Sequence, residues 1–272
     1  MGIKISDMEK NSELLIKHLN MVNKLIERKK YAVNVSKKIN EREYSNDIKK
    51  IIDVIKWKFE NEYNLNSYLS TKIFSPNYYD VLLNDWGIYH LHLSNKSHAK
   101  NLFFYKRSDY LLFVFIEGRG VYFLDIQKHK KENVFQRQEL LEIMHNNWPR
   151  LLEKNRLNLD AEYCNKFTNK EIERFRKNGV NVLQNIGGKV ILPLGGGYTT
   201  LKSNIMCTYE ADMIIYRIRT YEKIINSNKE MIRKQIFEKT GEKISEIDFK
   251  LHLEKNGEIK IREINTGALI NI

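Results

Sequence analysis

The sequence predicts an α+β protein: N-terminal helices, a small antiparallel sheet with packed helices, then a second α+β part with hairpins and one long helix. Three observations predict it. Two runs rich in aromatic and branched residues, Tyr110–Glu117 and Gly120–Ile126, flank Gly118-Arg119, and a glycine opening a two-residue loop fits a II′ hairpin turn. Apolar residues recur at helical spacing on either side of these strands, at Leu14, Leu15, Leu19, Val22, Leu25 and Ile26, then at Leu140, Leu141 and Met144. Asn256-Gly257 separates two more strand-like runs, and Asn-Gly is the strongest short hairpin signal.

The elements follow in order. Residues 6–40 read as helical, and Ser45 or Asn46 caps a second helix containing Ile51, Ile52 and Ile55, so the two helices make a hairpin. Residues 63–85 are short helix and loop. Ile88–Ser94 is a third strand, antiparallel to Tyr110–Glu117, with His90 and His92 on one face and Leu91 and Leu93 on the other. In the central hairpin, Glu117 pairs with Gly120, Phe115 with Tyr122, Leu112 with Asp125 and Tyr110 with Gln127. Leu111, Phe113, Phe115, Tyr122, Leu124 and Ile126 then form the core face.

Beyond the sheet, residues 135–145 form a helix and Pro149 opens the next. Asn169 caps a helix that Gly179 ends. Val180–Leu183 and Lys189–Leu192 flank Gly187-Gly188 as a second hairpin. A long helix runs from Ile205 to about Lys239, and residues 247–264 close the chain with a third hairpin. The expected division is a helical hairpin at 1–62, the sheet and its helix at 63–157, and an α+β part at 158–272.

Composition narrows the function. Two cysteines in 272 residues do not make a disulfide framework, so a reducing compartment is expected. No run reaches the roughly 18 apolar residues of a membrane span, and the N-terminal residues are too charged for a signal peptide. The expected location is the cytoplasm, with no membrane partner. Net charge is +12, and residues 94–131 hold 8 cations against 3 anions. A basic loop beside a sheet points to a polyanion, RNA or DNA.

The open end of the hairpin carries the candidate chemistry. His92, Arg107 and His129 converge there from three segments, with His90 beside them. Cleaving RNA through its own 2′-hydroxyl needs a base, an acid and positive charge on the phosphorane. Histidines supply the first two near neutral pH, and arginine holds phosphate in two-pronged fashion. Lys96, Lys100, Lys106, Lys128 and Lys130 would bind and steer the nucleic acid. The layout over about residues 86–148 is similar to that of RelE- and barnase-like ribonucleases, a resemblance that transfers no residue and implies only a helix on a sheet with a basic, histidine-bearing rim.

The working reading is a cytosolic, metal-independent endoribonuclease of toxin or phage-defence type, needing no cofactor and no metal. A non-catalytic module that binds RNA, DNA or an acidic protein such as an antitoxin is the alternative. A metal held by His90 and His92 with Asp125 or His129 is a further reading of the same face. A third places a phosphate or nucleotide on the loop of Gly195, Gly196, Gly197, Thr199, Thr200 and Lys202, where free amides would precede a helix. The interleaving of Phe103, Phe104 and Tyr105 with these lysines suits either base stacking or an edge strand packed into the core.

Overall fold

The computed structural model describes residues 5–130, 134–135, 137–159, 162, 165–245, 248–253 and 259–271. The fold is α+β, in two compact units, Met1–Glu210 and Ala211–Ile272. Among the described residues no helix is long and apolar enough to cross a membrane.

The first unit begins with helix α1 (Ile5–Asn23), strand β1 (Ala32–Val35) and helices α2 (Lys37–Asn40) and α3 (Asn46–Glu60). Ser45 caps α3 by accepting from the Ile48 amide. Two 3₁₀ turns lead to α4 (Val81–Trp86), which Asp80 caps, and then to β2 (Ile88–His92), β3 (Tyr110–Glu117) and β4 (Gly120–Lys128). Helices α5 (Glu139–Asn147) and α6 (Arg150–Glu153) follow. Then come β5 (Arg156–Leu157), α7 (Asn169–Lys177), β6 (Gln184–Ile186) and β7 (Lys189–Ile191). Thr168, not Asn169, caps α7, in a reciprocal box with Glu171.

The central sheet has the order β1-β4-β3-β2. Strand β2 lies antiparallel to β3 as expected, pairing His90 with Phe113 and His92 with Leu111. Strand β1 corrects the reading of 6–40 as helix: Ala32–Val35 pairs in parallel with Gly120–Phe123, so the N-terminal segment is part of this sheet rather than a pure helical hairpin. Both sheet faces are buried. One packs Leu111, Phe113, Phe115, Tyr122 and Leu124 against α4 to α7; the other packs Leu112, Val114, Phe123 and Ile126 against α3 and the 3₁₀ turns. Double burial explains why β3 reads as an almost unbroken apolar run.

The hairpin register holds from Glu117–Gly120 to Val114–Phe123 and then slips. Phe113 pairs with Asp125, leaving Leu124 as a bulge, so Leu112 meets Ile126 and Tyr110 meets Lys128. The expected Leu112–Asp125 and Tyr110–Gln127 pairs are therefore wrong by one, and Ile126 moves to the opposite face. The Gly187-Gly188 turn does join two strands, but the first is Gln184–Ile186, which shares no residue with the expected Val180–Leu183. Strand β5 completes a sheet of order β5-β7-β6.

Helix α8 (Ile205–Ser227) contains the boundary between the units, and α9 (Lys229–Thr240) follows after Asn228, so the single long helix is two. The second unit ends with β8 (Phe249–Leu253), β9 (Ile259–Glu263) and β10 (Leu269–Asn271), in the order β10-β9-β8. Strands β8 and β9 are antiparallel as the third hairpin requires; its Asn256-Gly257 turn lies outside the described residues.

Candidate functional site

The bulge at Leu124 decides the site. Residues opposite one another in an antiparallel pair share a face. Strand β2 puts His92 on the face of Leu111, and Asp109 lies on that face two residues earlier. The His129 amide donates to the Asp109 carbonyl at 2.7 Å, so His129 is opposite Asp109. Without the extra residue it would be opposite Ser108 and face the other way.

His92 and His129 consequently stack, their ring centroids 5.6 Å apart and 23° from parallel. His90 lies 6.4 Å from His92, edge to face. Phe135 covers this group, with its ring 5.0 Å from His90 and 6.2 Å from His129. Arg107 leads into β3 and remains exposed; its charge acts on both His92 and His129. The three histidines are thus brought together, and the Arg107 charge is within electrostatic reach of two of them.

Their environments differ. His90 and His92 are buried, and the Nδ1 of each has no hydrogen-bond partner. Burial, with the neighbouring charges of His90, His129 and Arg107, pushes the His92 pKa down to about 3. His129 is half-buried, and its pKa is lowered by burial and then by Arg107. Both imidazoles are therefore neutral in the free protein near pH 7. The expectation of a ready acid–base pair is corrected to this extent: neither ring carries the proton an acid would give.

Sequence reasoning missed the support behind His90. Asp80 Oδ2 lies 3.6 Å from His90 Nδ1, while its Oδ1 accepts from the Leu82 and Leu83 amides. The segment carrying Asp80 is clamped by α1. Asn20 Nδ2 donates to the Pro76 carbonyl at 3.1 Å. The buried Lys24 amine donates to the carbonyls of Ser75 and Tyr78, each at 2.7 Å. Burial lowers the Lys24 pKa to about 8. The aspartate before an apolar run was legible as a helix cap, but its second oxygen's direction was not.

Lys96, Lys100, Lys106, Lys128 and Lys130 are all exposed. Lys106 and Lys96 are neighbours, the amide of the first donating to the carbonyl of the second at 2.6 Å. Lys128 ends β4 opposite Tyr110, and Lys130 lies near enough to His129 to act on its charge. None of the five, nor Arg107, forms an ion pair among the described residues.

Comparison with protein-family models, with curated proteins and with solved structures finds no match.

A metal on this face is not favoured by the geometry. Asp125 is fully buried and already engaged: its Oδ2 accepts from Gln127 Nε2 at 2.7 Å and Arg137 Nη1 at 3.2 Å, and Lys38 Nζ lies 3.4 Å away. No group of three or more His, Cys, Asp or Glu among the described residues is arranged to hold an ion.

The glycine loop is corrected more fully. The amides expected to be free are bonded within the chain. Gly195 donates to the Asp85 carbonyl at 2.9 Å and Gly197 to the Asn84 carbonyl at 2.8 Å. Gly196, Thr199 and Lys202 donate to Pro193, Ser203 and Thr199. The start of α8 is occupied too, because Asn204 Oδ1 accepts from the Met206 and Cys207 amides. Glycine is needed at 195 for close approach, since a Cβ there would land on the carbonyl oxygens of Leu83 and Asn84. Thr200, beside them, is exposed. The loop is a packing device over the C-terminus of α4, and it leaves Gly195, Gly196, Gly197, Thr199 and Lys202 without a free amide for phosphate.

Proposed function

We propose that the histidine–arginine rim acts on RNA as a metal-independent endoribonuclease. The supporting observation is the stacked His92–His129 pair within electrostatic reach of Arg107, with exposed lysines on the adjoining segments that form no ion pair among the described residues. In this reading Arg107 holds the non-bridging oxygens of one phosphodiester. His129, which reaches solvent and is neutral, takes the proton of the 2′-hydroxyl. The 2′-oxygen bonds to phosphorus, the bond to the 5′-oxygen breaks, and that oxygen takes up a proton. The products are a 2′,3′-cyclic phosphate and a free 5′-hydroxyl. The phosphodiester brings a negative charge, which favours protonated imidazole and opposes the effect of Arg107. Burial dominates the lowering at His92, so His92 stays neutral against the stack, and the proton for the 5′-oxygen comes from protonated His129 or from solvent. Such an activity suits a cytosolic toxin or phage-defence role, and an antitoxin or other acidic partner would cover the same cations.

The test is incubation of the purified protein with total RNA in the presence of a chelator. Fragments bearing cyclic phosphate ends are expected; RNA left whole removes the proposal.

One observation favours a non-catalytic alternative. A histidine with a pKa of about 3 brings no proton to the reaction near neutral pH, and exposed cations suffice for binding alone. That module would bind RNA with steep salt dependence and release it uncut.

A further inference from the structure

Residues 95–106 leave the sheet just after β2 and return to it at Arg107, so both ends of this segment sit at the histidine rim. Its two arms are joined. Ser97 and Tyr105 form an antiparallel bridge, and the His98 amide donates to the Phe104 carbonyl at 2.9 Å. The tip is internally fixed: His98 Nδ1 accepts from the amides of Lys100 and Asn101, and Asn101 Oδ1 accepts from Phe103, each at 3.2 Å. This is an ordered flap, not an open loop.

Its tip faces water with apolar side chains. Leu102 is 85% exposed and Phe103 42%, while Phe104 is buried as the anchor. Phe74, 44% exposed, comes from a separate 3₁₀ turn, with its ring 5.5 Å from that of Phe103. Lys96, Lys100, Lys106 and Arg107 line the arms and are exposed, without an ion pair among the described residues. The occupant must therefore be anionic and must also offer flat apolar faces. A single nucleic-acid strand offers both along its whole length; a duplex hides its base faces, and a polyanionic peptide without aromatic side chains lacks them.

We propose that the flap at 95–106 and Phe74 form a platform for single-stranded nucleic acid, stacking bases on Phe103 and Phe74 and leading the strand to the rim at the flap's foot. It builds on the reading of that rim as nucleic-acid-directed and adds selection for unpaired strands.

Fluorescence anisotropy with a labelled oligouridine, a duplex RNA of matched length and polyglutamate as competitor tests it. The parent is expected to prefer the single strand to the duplex by about tenfold or more, with polyglutamate a weak competitor. Phe103→Ala should lower single-strand affinity by about 5- to 150-fold while keeping the slope of affinity against salt, because the phosphate contacts remain. Phe103→Tyr should keep parental affinity, and Lys100→Gln should reduce the slope. Equal binding of duplex or polyglutamate, or parental affinity in a Phe74→Ala, Phe103→Ala double variant, would overturn the proposal. Tight, aromatic-dependent binding of RNA that stays whole supports the platform and sinks cleavage. Cleavage with single-strand affinity unchanged in the double variant does the reverse.

Discussion

His92 and His129 lie ring against ring, 5.6 Å between centroids, although one belongs to β2 and the other follows β4 with β3 between them. Two like-natured bases held this close, one of them buried, resist protonation together. Much of what the protein can be made to reveal follows from that contact.

The pH dependence of stability is the first consequence. The folded pKa of His92 is about 3, below the 6.5 of an unperturbed histidine. The unfolded chain therefore takes up this proton first, and acid favours unfolding. The contribution is complete above pH 6.5 and is lost as pH falls toward 3. At pH 5 His92 alone should remove about 2 kcal/mol. Chemical denaturation across this range should show the decline, and His92→Gln should flatten it; identical profiles would refute the assignment.

Arg107 should be readable through its neighbour. It contributes to the lowered pKa of His129, after burial. Arg107→Ala should raise that pKa without restoring the unperturbed value, because burial remains. An NMR titration of the His129 ring proton measures it. No upward movement would mean the guanidinium is not beside the ring.

The hairpin shows how far the sequence could lead. The II′ turn, the Glu117–Gly120 pair and the antiparallel β2 follow from alternation and turn chemistry. The bulge does not, because Leu124 is as good a strand residue as its neighbours. Yet that bulge puts His129 on the same face as His92, so the expected convergence occurs through a register that pattern alone does not contain. Strand β1 was hidden for a related reason. Ala32–Val35 is four residues long and abuts α2, so helical periodicity ran through it. Support from Asp80, Lys24 and Asn20 depends on tertiary contacts that no local pattern encodes.

Gly195 separates packing from ligand binding in the glycine loop. A Cβ at 195 would sit 2.6 Å from the Asn84 carbonyl oxygen and closer still to that of Leu83. Gly195→Ala should cost at least about 3 kcal/mol, at the upper end for overpacking against unyielding backbone. Gly188→Ala meets no atom within 4 Å and suffers only from its positive φ, so about 1–2 kcal/mol is expected. Thermal melts compare the two. A Gly195→Ala protein of parental stability would contradict the packing account.

Beneath α4, Arg176 Nε donates to Asp85 Oδ2 at 2.8 Å while its guanidinium lies 4.2 Å over the Trp86 ring. Both charges are buried, and burial raises the Asp85 pKa against the pull of Arg176. Arg176→Met leaves an unpaired carboxylate and should cost about 3–5 kcal/mol. Asp85→Asn, Arg176→Met together should cost less than Arg176→Met alone. Urea unfolding of the parent, Asp85→Asn, Arg176→Met and the double variant decides it, and additive losses would argue against a coupled pair.

Cleavage of a chimeric strand tests the central claim most directly. A DNA oligonucleotide carrying a single ribonucleotide is incubated in chelator with the parent and with His129→Ala. The account predicts a cut only after the ribonucleotide by the parent, a cyclic phosphate on the new end, and a loss of at least about a hundredfold in the variant. A chimera left intact by the parent, or one cut equally well by His129→Ala, would contradict it.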